Sequence, residues 1–242
     1  MKEGFFGIWS IWKFPLARET RIGFLLAMAA IDIVIVAPLY LITNHLMAWR
    51  GVTVFDPTTS IDLAIPFIAW TVIIYQSLFY FFYPLPLFSM PDTKKARHEA
   101  LVLSQALIVL AFVSNLWFIL CPGEVHIRSQ AKDAIETMHP IFVSMFEGLW
   151  FMDSPYNSWP SLHVSTAGLF TLFAIRWWKE QPIKQWAVGI WWILMCLSIL
   201  TTKQHFILDL FTGALIVWPL WKWQVQPSLD RLEARTIEEV SS

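Results

Sequence analysis

Of the 242 residues, 57% are hydrophobic and only 14% charged, with a formal net charge of -1, whereas a soluble domain carries about 25% charged residues. That deficit excludes a water-soluble enzyme, a disordered chain and a nucleic-acid binder with a basic footprint. What remains is an integral membrane protein, expected to be all-α with six transmembrane helices, because six spans of about 20 residues use roughly half of such a chain.

Residues 4–14 alternate large aromatics and aliphatics, with Lys2, Lys13, Arg18 and Arg21 around them. This stretch is too short to span, and no small-residue cleavage site follows a short apolar core. Residues 1–21 are therefore expected to form an interfacial amphipathic segment rather than a signal peptide. A transmembrane domain is expected over 22–223, with a solvated cytoplasmic tail over 224–242. Its spans are expected at about 22–43, 63–83, 99–120, 161–178, 186–202 and 206–223. The first is interrupted only by Asp32. The second opens at Asp62 and stops at Pro84 and Pro86, and the third ends at Cys121, Pro122 and Gly123. The fourth follows Pro160, while the fifth and sixth nearly abut, which requires a tight turn between them.

Charge placement sets an expected orientation. Of the 17 Lys and Arg residues, only Arg50, Arg128, Lys132 and Lys203 fall in the loops 44–62, 121–160 and 203–205. The rest collect on the other side, so both termini are expected to be cytoplasmic and those three loops to face outward.

Ionisable residues at membrane edges are costly and tend to be functional. Two such segments open spans on the outer side: Pro160-Ser161-Leu162-His163, and Lys203-Gln204-His205 with Asp209. His205 and Asp209 are four apart and share one face of a helix. A carboxylate on one ring nitrogen fixes the imidazole tautomer and leaves the other as a nucleophile or base. The same pair would also suit a purely structural lock between helices. Lys203 is a cation suited to an anionic substrate. Pro160 fits the first turn of a helix, so the amides of Ser161, Leu162 and His163 are expected to face outward as a phosphate site. His163 could act there as a general acid, or merely snorkel from an ordinary helix start.

These segments resemble the motifs of the type-2 phosphatidic acid phosphatase superfamily. Pro160-Ser161-Leu162-His163 is similar to its Pro-Ser-Gly-His motif, in the Leu form of the inositol phosphorylceramide synthase branch. His205 and Asp209 resemble the third motif, and Asp62-Leu63-Ala64-Ile65-Pro66-Phe67 is similar to a string at the start of a span in that branch. The resemblance covers about 60–213. It implies a metal-independent double displacement on a lipid phosphate or pyrophosphate, without cofactor: His205 as nucleophile forming a phosphohistidine, Asp209 orienting it, His163 protonating the leaving oxygen and Ser161 holding phosphate oxygens. Hydrolysis and headgroup transfer differ only in whether water or an alcohol attacks second. The compact chain with short loops leans toward a phosphatase in a bacterial inner membrane.

The chain departs from the superfamily pattern in two places. Ser198 and Ile199 stand where the third motif has Ser-Arg, leaving Lys203 as the nearest cation. The first motif is not recognisable, so Arg128, and less so Lys132, are the phosphate-binding candidates in the outer loop. Asp62 either caps the second span or sits near substrate. Asp32 is expected to be protonated or bonded to a neighbouring helix. His45, His98, His126 and His139 are expected to be solvated, with His126 near enough to Arg128 to line the pocket. Trp177 and Trp178 read as an interface anchor, Trp191 and Trp192 as helix packing. Two cysteines, Cys121 and Cys196, make no disulfide framework and no metal-ligand spacing. A rival reading from another class makes His163 and His205 the axial ligands of a haem.

Overall fold

The computed structural model describes residues 7–241, with side chains described through residue 234. Lys2 and residues 4–6 of the expected interfacial segment, the side chains of 235–241 and Ser242 lie outside the described residues. The principal helices are α1 (Arg21–Arg50), α2 (Ser60–Ala64), α3 (Lys94–Leu120), α4 (Arg128–Ile135), α5 (Pro140–Met152), α6 (Leu162–Trp177), α7 (Pro182–Thr201), α8 (Ile207–Leu220) and α9 (Gln226–Ser241). All regular structure among the described residues is helical. Three helices, α1, α3 and α7, are long and apolar enough to cross a membrane.

The six expected spans are not six uniform helices. α1 starts where Thr20 caps the amide of Gly23, and it runs to Gly51, whose φ of 58° closes it in the left-handed region. It is longer than the expected 22–43, and its Asp32 accepts from the hydroxyl of Ser104 of α3 at 2.8 Å. The expected second span is broken. Pro66 disfavours the helical region for the residue before it, and Ile65 is extended at φ -61°, ψ 126°. Ile68 then donates to the carbonyl of Thr201 at 2.9 Å. The chain continues through a 3-10 turn (Ala69–Thr71), one α turn (Val72–Tyr75) and a π segment (Leu78–Phe82).

α6 is the central helix, packed against α3, α7 and α8. Residues 164–171 are buried without a break, as befits a helix that is apolar around most of its circumference. Its close approach to α8 depends on Gly213, where a Cβ would sit 2.7 Å from the carbonyl oxygen of Ser161. Beyond α8 the chain does not leave as a solvated tail. A π turn (Trp221–Val225) leads into α9, and Val225, Ser228 and Leu229 are buried. At the other end, the described residues of the expected interfacial segment hold a 3-10 turn (Ser10–Trp12) and a one-turn helix (Lys13–Leu16), with Trp12 fully buried. The 121–160 loop, expected to face outward, carries α4 and α5, neither of which the sequence announces.

Candidate active site

The turn between α7 and α8 delivers the first imidazole. Lys203 adopts φ 58°, uncommon for a residue with a side chain. The amides of Gln204 and His205 both donate to the carbonyl of Ile199 at 3.2 Å. Asp209 lies in the first turn of α8, where a carboxylate is favoured by the unpaired amides. Its Oδ2 accepts from the amide of Phe206 at 2.9 Å and stands 3.3 Å from His205 Nδ1. The other nitrogen, Nε2, is thereby turned away from the carboxylate, 3.5 Å from Ser161 Oγ. Asp209 Oδ1 is buried and without a partner.

α6 delivers the second. Ser161, not Pro160, is at the boundary: it is the N-cap, its side chain accepting from the amide of Val164 at 3.4 Å. Its own amide donates to the carbonyl of Asp209 at 3.2 Å, so of the three amides expected to face a phosphate, this one is engaged in joining α6 to α8. The amides of Leu162 and His163 have no carbonyl of their own helix to donate to. The His163 ring lies 5.9 Å from that of His205, centroid to centroid, and its Nε2 has no partner. The two motifs, 44 residues apart in the chain between Ser161 and His205, thus meet around one small volume.

The remaining candidates are placed less uniformly. Arg128 is buried, and it donates from Nη1 to the carbonyl of Asp153 at 2.6 Å and from Nη2 to its carboxylate at 2.8 Å. Its Nε has no partner. The pair is within electrostatic range of His163 and Tyr75. Lys203 is fully buried, and its ammonium donates to the carbonyl of Asp62 at 2.9 Å. Burial pushes its pKa down, against the opposing pull of the Asp62 carboxylate. Asp62 is engaged on both oxygens: Oδ1 accepts from the amide of Ile207 at 2.7 Å, and Oδ2 from the amide and hydroxyl of Thr59. It therefore closes the capping box of α2 and caps α8 as well. His126 is half exposed and faces the loop before α2, 3.2 Å from the hydroxyl of Thr58 and 3.9 Å from Asp56. It also tilts against the ring of Phe206 at 5.7 Å.

Several residues of this region were not legible in the sequence. Asp153 accepts from Tyr40 and Asn44 of α1 as well as from Arg128. Its only signal was a place in the polar, turn-rich run just before Pro160. Tyr75 sits inside an apolar stretch that offers no signal at all, yet its ring stacks on His163 at 4.3 Å and 25°. It also tilts toward the ring of His205 at 6.5 Å. Among the described residues, no group of three or more His, Cys, Asp or Glu side chains is placed to hold a metal ion.

A family model of the PAP2 superfamily matches residues 44–223. Neither the comparison with curated proteins nor that with solved structures gives a match.

Proposed function

The chain belongs to the PAP2 superfamily, whose members are generally phosphatases or phosphotransferases, and from that premise we propose that it is a metal-independent lipid-phosphate phosphatase working through a phosphohistidine. The observation that carries the reading is the pair of imidazoles 5.9 Å apart with opposite tethering. His205 is held by Asp209 on Nδ1, which leaves Nε2 as the nucleophile. His163 has a free Nε2, the atom a general acid needs.

In the first step, the lone pair of His205 Nε2 forms a bond to phosphorus, the P–O bond to the lipid breaks, and His163 gives its proton to the departing oxygen. In the second, His163 takes a proton from water as it attacks the phosphohistidine, releasing inorganic phosphate and restoring His205. Phosphoryl transfer asks mainly for positioning and for charge on the equatorial oxygens. Ser161, the amides of Leu162 and His163, and the Nε of Arg128 are suited to supply it. Lys203 and Asp62, joined to each other and to the start of α8, hold the turn that carries His205.

A lipid substrate is favoured by an apolar trough between α3 and α8. Two cavities of about 240 and 440 Å³ share Val113 and Ile216 as lining residues. The first reaches Trp159 and Pro160, immediately before Ser161. By the placement of basic residues, the site faces outward from a bacterial inner membrane, with both termini cytoplasmic. The Pro-Ser-Leu-His form favours a second reading, in which an alcohol headgroup instead of water accepts the phosphoryl group.

The test uses protein purified in detergent with EDTA, given phosphatidate or a polyprenyl pyrophosphate, with and without inositol. Free phosphate released by the wild type and lost in His205→Ala supports the phosphatase. A lipid product that requires inositol, with no free phosphate, moves the assignment to the transferase. No turnover on any donor overturns the catalytic reading for those substrates.

A further inference from the structure

Tyr75 carries chemistry that the two-histidine mechanism leaves unused. It sits on the single α turn left where Pro66 breaks the second apolar stretch, between a 3-10 turn and a π segment. Its side chain is fully buried, and its hydroxyl has no hydrogen-bond partner. Buried phenols ordinarily find one, and an exception of this kind calls for an explanation. The ring, by contrast, is closely engaged. It stacks on the His163 imidazole at 4.3 Å and 25° and tilts toward His205 at 6.5 Å. On another side, Phe79 meets the same imidazole edge to face at 6.1 Å.

His163 needs such a contact. His205 is fixed by a carboxylate on Nδ1, whereas the Nε2 of His163 bonds to nothing. Aromatic faces therefore hold this imidazole, and no hydrogen bond to Nε2 does. A parallel offset ring restricts tilt about the Cβ–Cγ bond, and the unpaired nitrogen stays available for a proton in transit.

We propose that Tyr75 is a positioning residue for His163, its ring face setting the direction in which the imidazole presents Nε2 to the leaving oxygen. This rests on the reading of His163 as general acid. The device also explains the broken second span. A regular helix through 63–83 would carry residue 75 on a different azimuth, and the Pro66 break with its Ile68–Thr201 anchor sets where Tyr75 points.

The leaving group supplies the test. An alkyl phosphate monoester such as phosphatidate needs a proton on its departing oxygen, while p-nitrophenyl phosphate loses a phenolate that departs without one. In kcat/KM, which reports the steps up to departure of the leaving group, a residue serving the general acid matters for the first substrate and little for the second, whereas the later attack of water is common to both. Wild type, His163→Ala, Tyr75→Leu and Tyr75→Phe are compared on both substrates, in detergent with EDTA. Tyr75→Leu should lose about 10-fold or more in kcat/KM on the lipid and less than about threefold on p-nitrophenyl phosphate, in the pattern of His163→Ala. Tyr75→Phe keeps the ring and should retain the wild-type ratio between substrates. Equal losses of Tyr75→Leu on both substrates, or none, would overturn the proposal. So would a selective loss in Tyr75→Phe, which would assign the effect to the hydroxyl. Absence of turnover by the wild type would instead sink the phosphatase reading itself, so the two failures are distinguishable.

Discussion

Charged side chains gather at both ends of α6, and the two ends treat them differently. At its C-terminal end, Glu99 of α3 has both oxygens engaged: Arg176 donates from Nε and Nη2 to Oε1, and Trp177 donates from its indole to Oε2 at 2.8 Å. Arg176 reaches on to Glu233 of α9, which also takes Lys95. At its N-terminal end, His163 Nε2, Asp209 Oδ1, Arg128 Nε and the Tyr75 hydroxyl are left without partners. Carboxylates and cations form a closed network at one end and, together with imidazoles and a phenol, an open one at the other. A closed network supports one arrangement of helices. An open one lowers stability by leaving polar groups desolvated and unpaired, and it keeps donors and acceptors available for a ligand.

Substitutions at the two ends should therefore separate activity from stability. Asp209→Asn should have the largest effect, a loss of about 10²-fold or more in kcat, because an amide no longer fixes the His205 tautomer. Thermal unfolding should change little, and a variant that melts early would mean that Asp209 acts chiefly as a helix cap. Gly213→Ala joins the two kinds of effect. Its Cβ would meet the Ser161 carbonyl oxygen at 2.7 Å and the Ser161 Cβ at 3.2 Å, so α6 and α8 must part. A destabilisation of about 1–3 kcal/mol is expected, together with a loss of turnover that is not recovered by cooling. Full activity in Gly213→Ala would show that the spacing of Ser161 from His205 is not critical.

At the closed end, Glu99→Ala should leave kcat unchanged within about twofold and lower stability by about 2 kcal/mol. That is less than for a fully desolvated pair, since Arg176 is partly exposed and keeps Glu233. Detergent melting curves and turnover measured on one preparation would check both halves. The smallest effect is a pH dependence. Hydrogen bonds from Arg176 and Lys95 hold the Glu233 carboxyl below its ordinary range. Its contribution is thus complete above the ordinary carboxylate pKa and is lost as pH falls through the lowered one. Glu233→Gln should flatten the acid side of the melting profile slightly, and an unaltered profile would show that solvent screening removes the contribution.

The candidate catalytic residues were legible for a local reason. His205 and Asp209 are one helical turn apart, and Ser161 and His163 are neighbours in one first turn, so their spacing alone carries their geometry. Arg128 was legible as a phosphate-binding candidate in the 121–160 loop, but its burial and its partner were not. Arg128, Asp153 and the pair of Tyr40 and Asn44 in α1 come from three places in the chain, and nothing in their local patterns ties them together. Lys203 was legible as a cation beside His205 but its direction was not: in a turn of positive φ, its ammonium donates to the carbonyl of Asp62.

Composition, apolar runs and two short motifs by themselves determined a helical protein of this superfamily, with apolar helices compatible with a membrane, and marked its two imidazoles. These properties depend on counts and on spacings within one helical turn. The tertiary structure alone decided the breaking of the second span, the folding of residues 221–241 as a π turn and a helix against α3, and the stacking of Tyr75 on His163. Each of these depends on contacts between segments far apart in sequence, where packing and the need to pair buried polar groups override what any single stretch prefers.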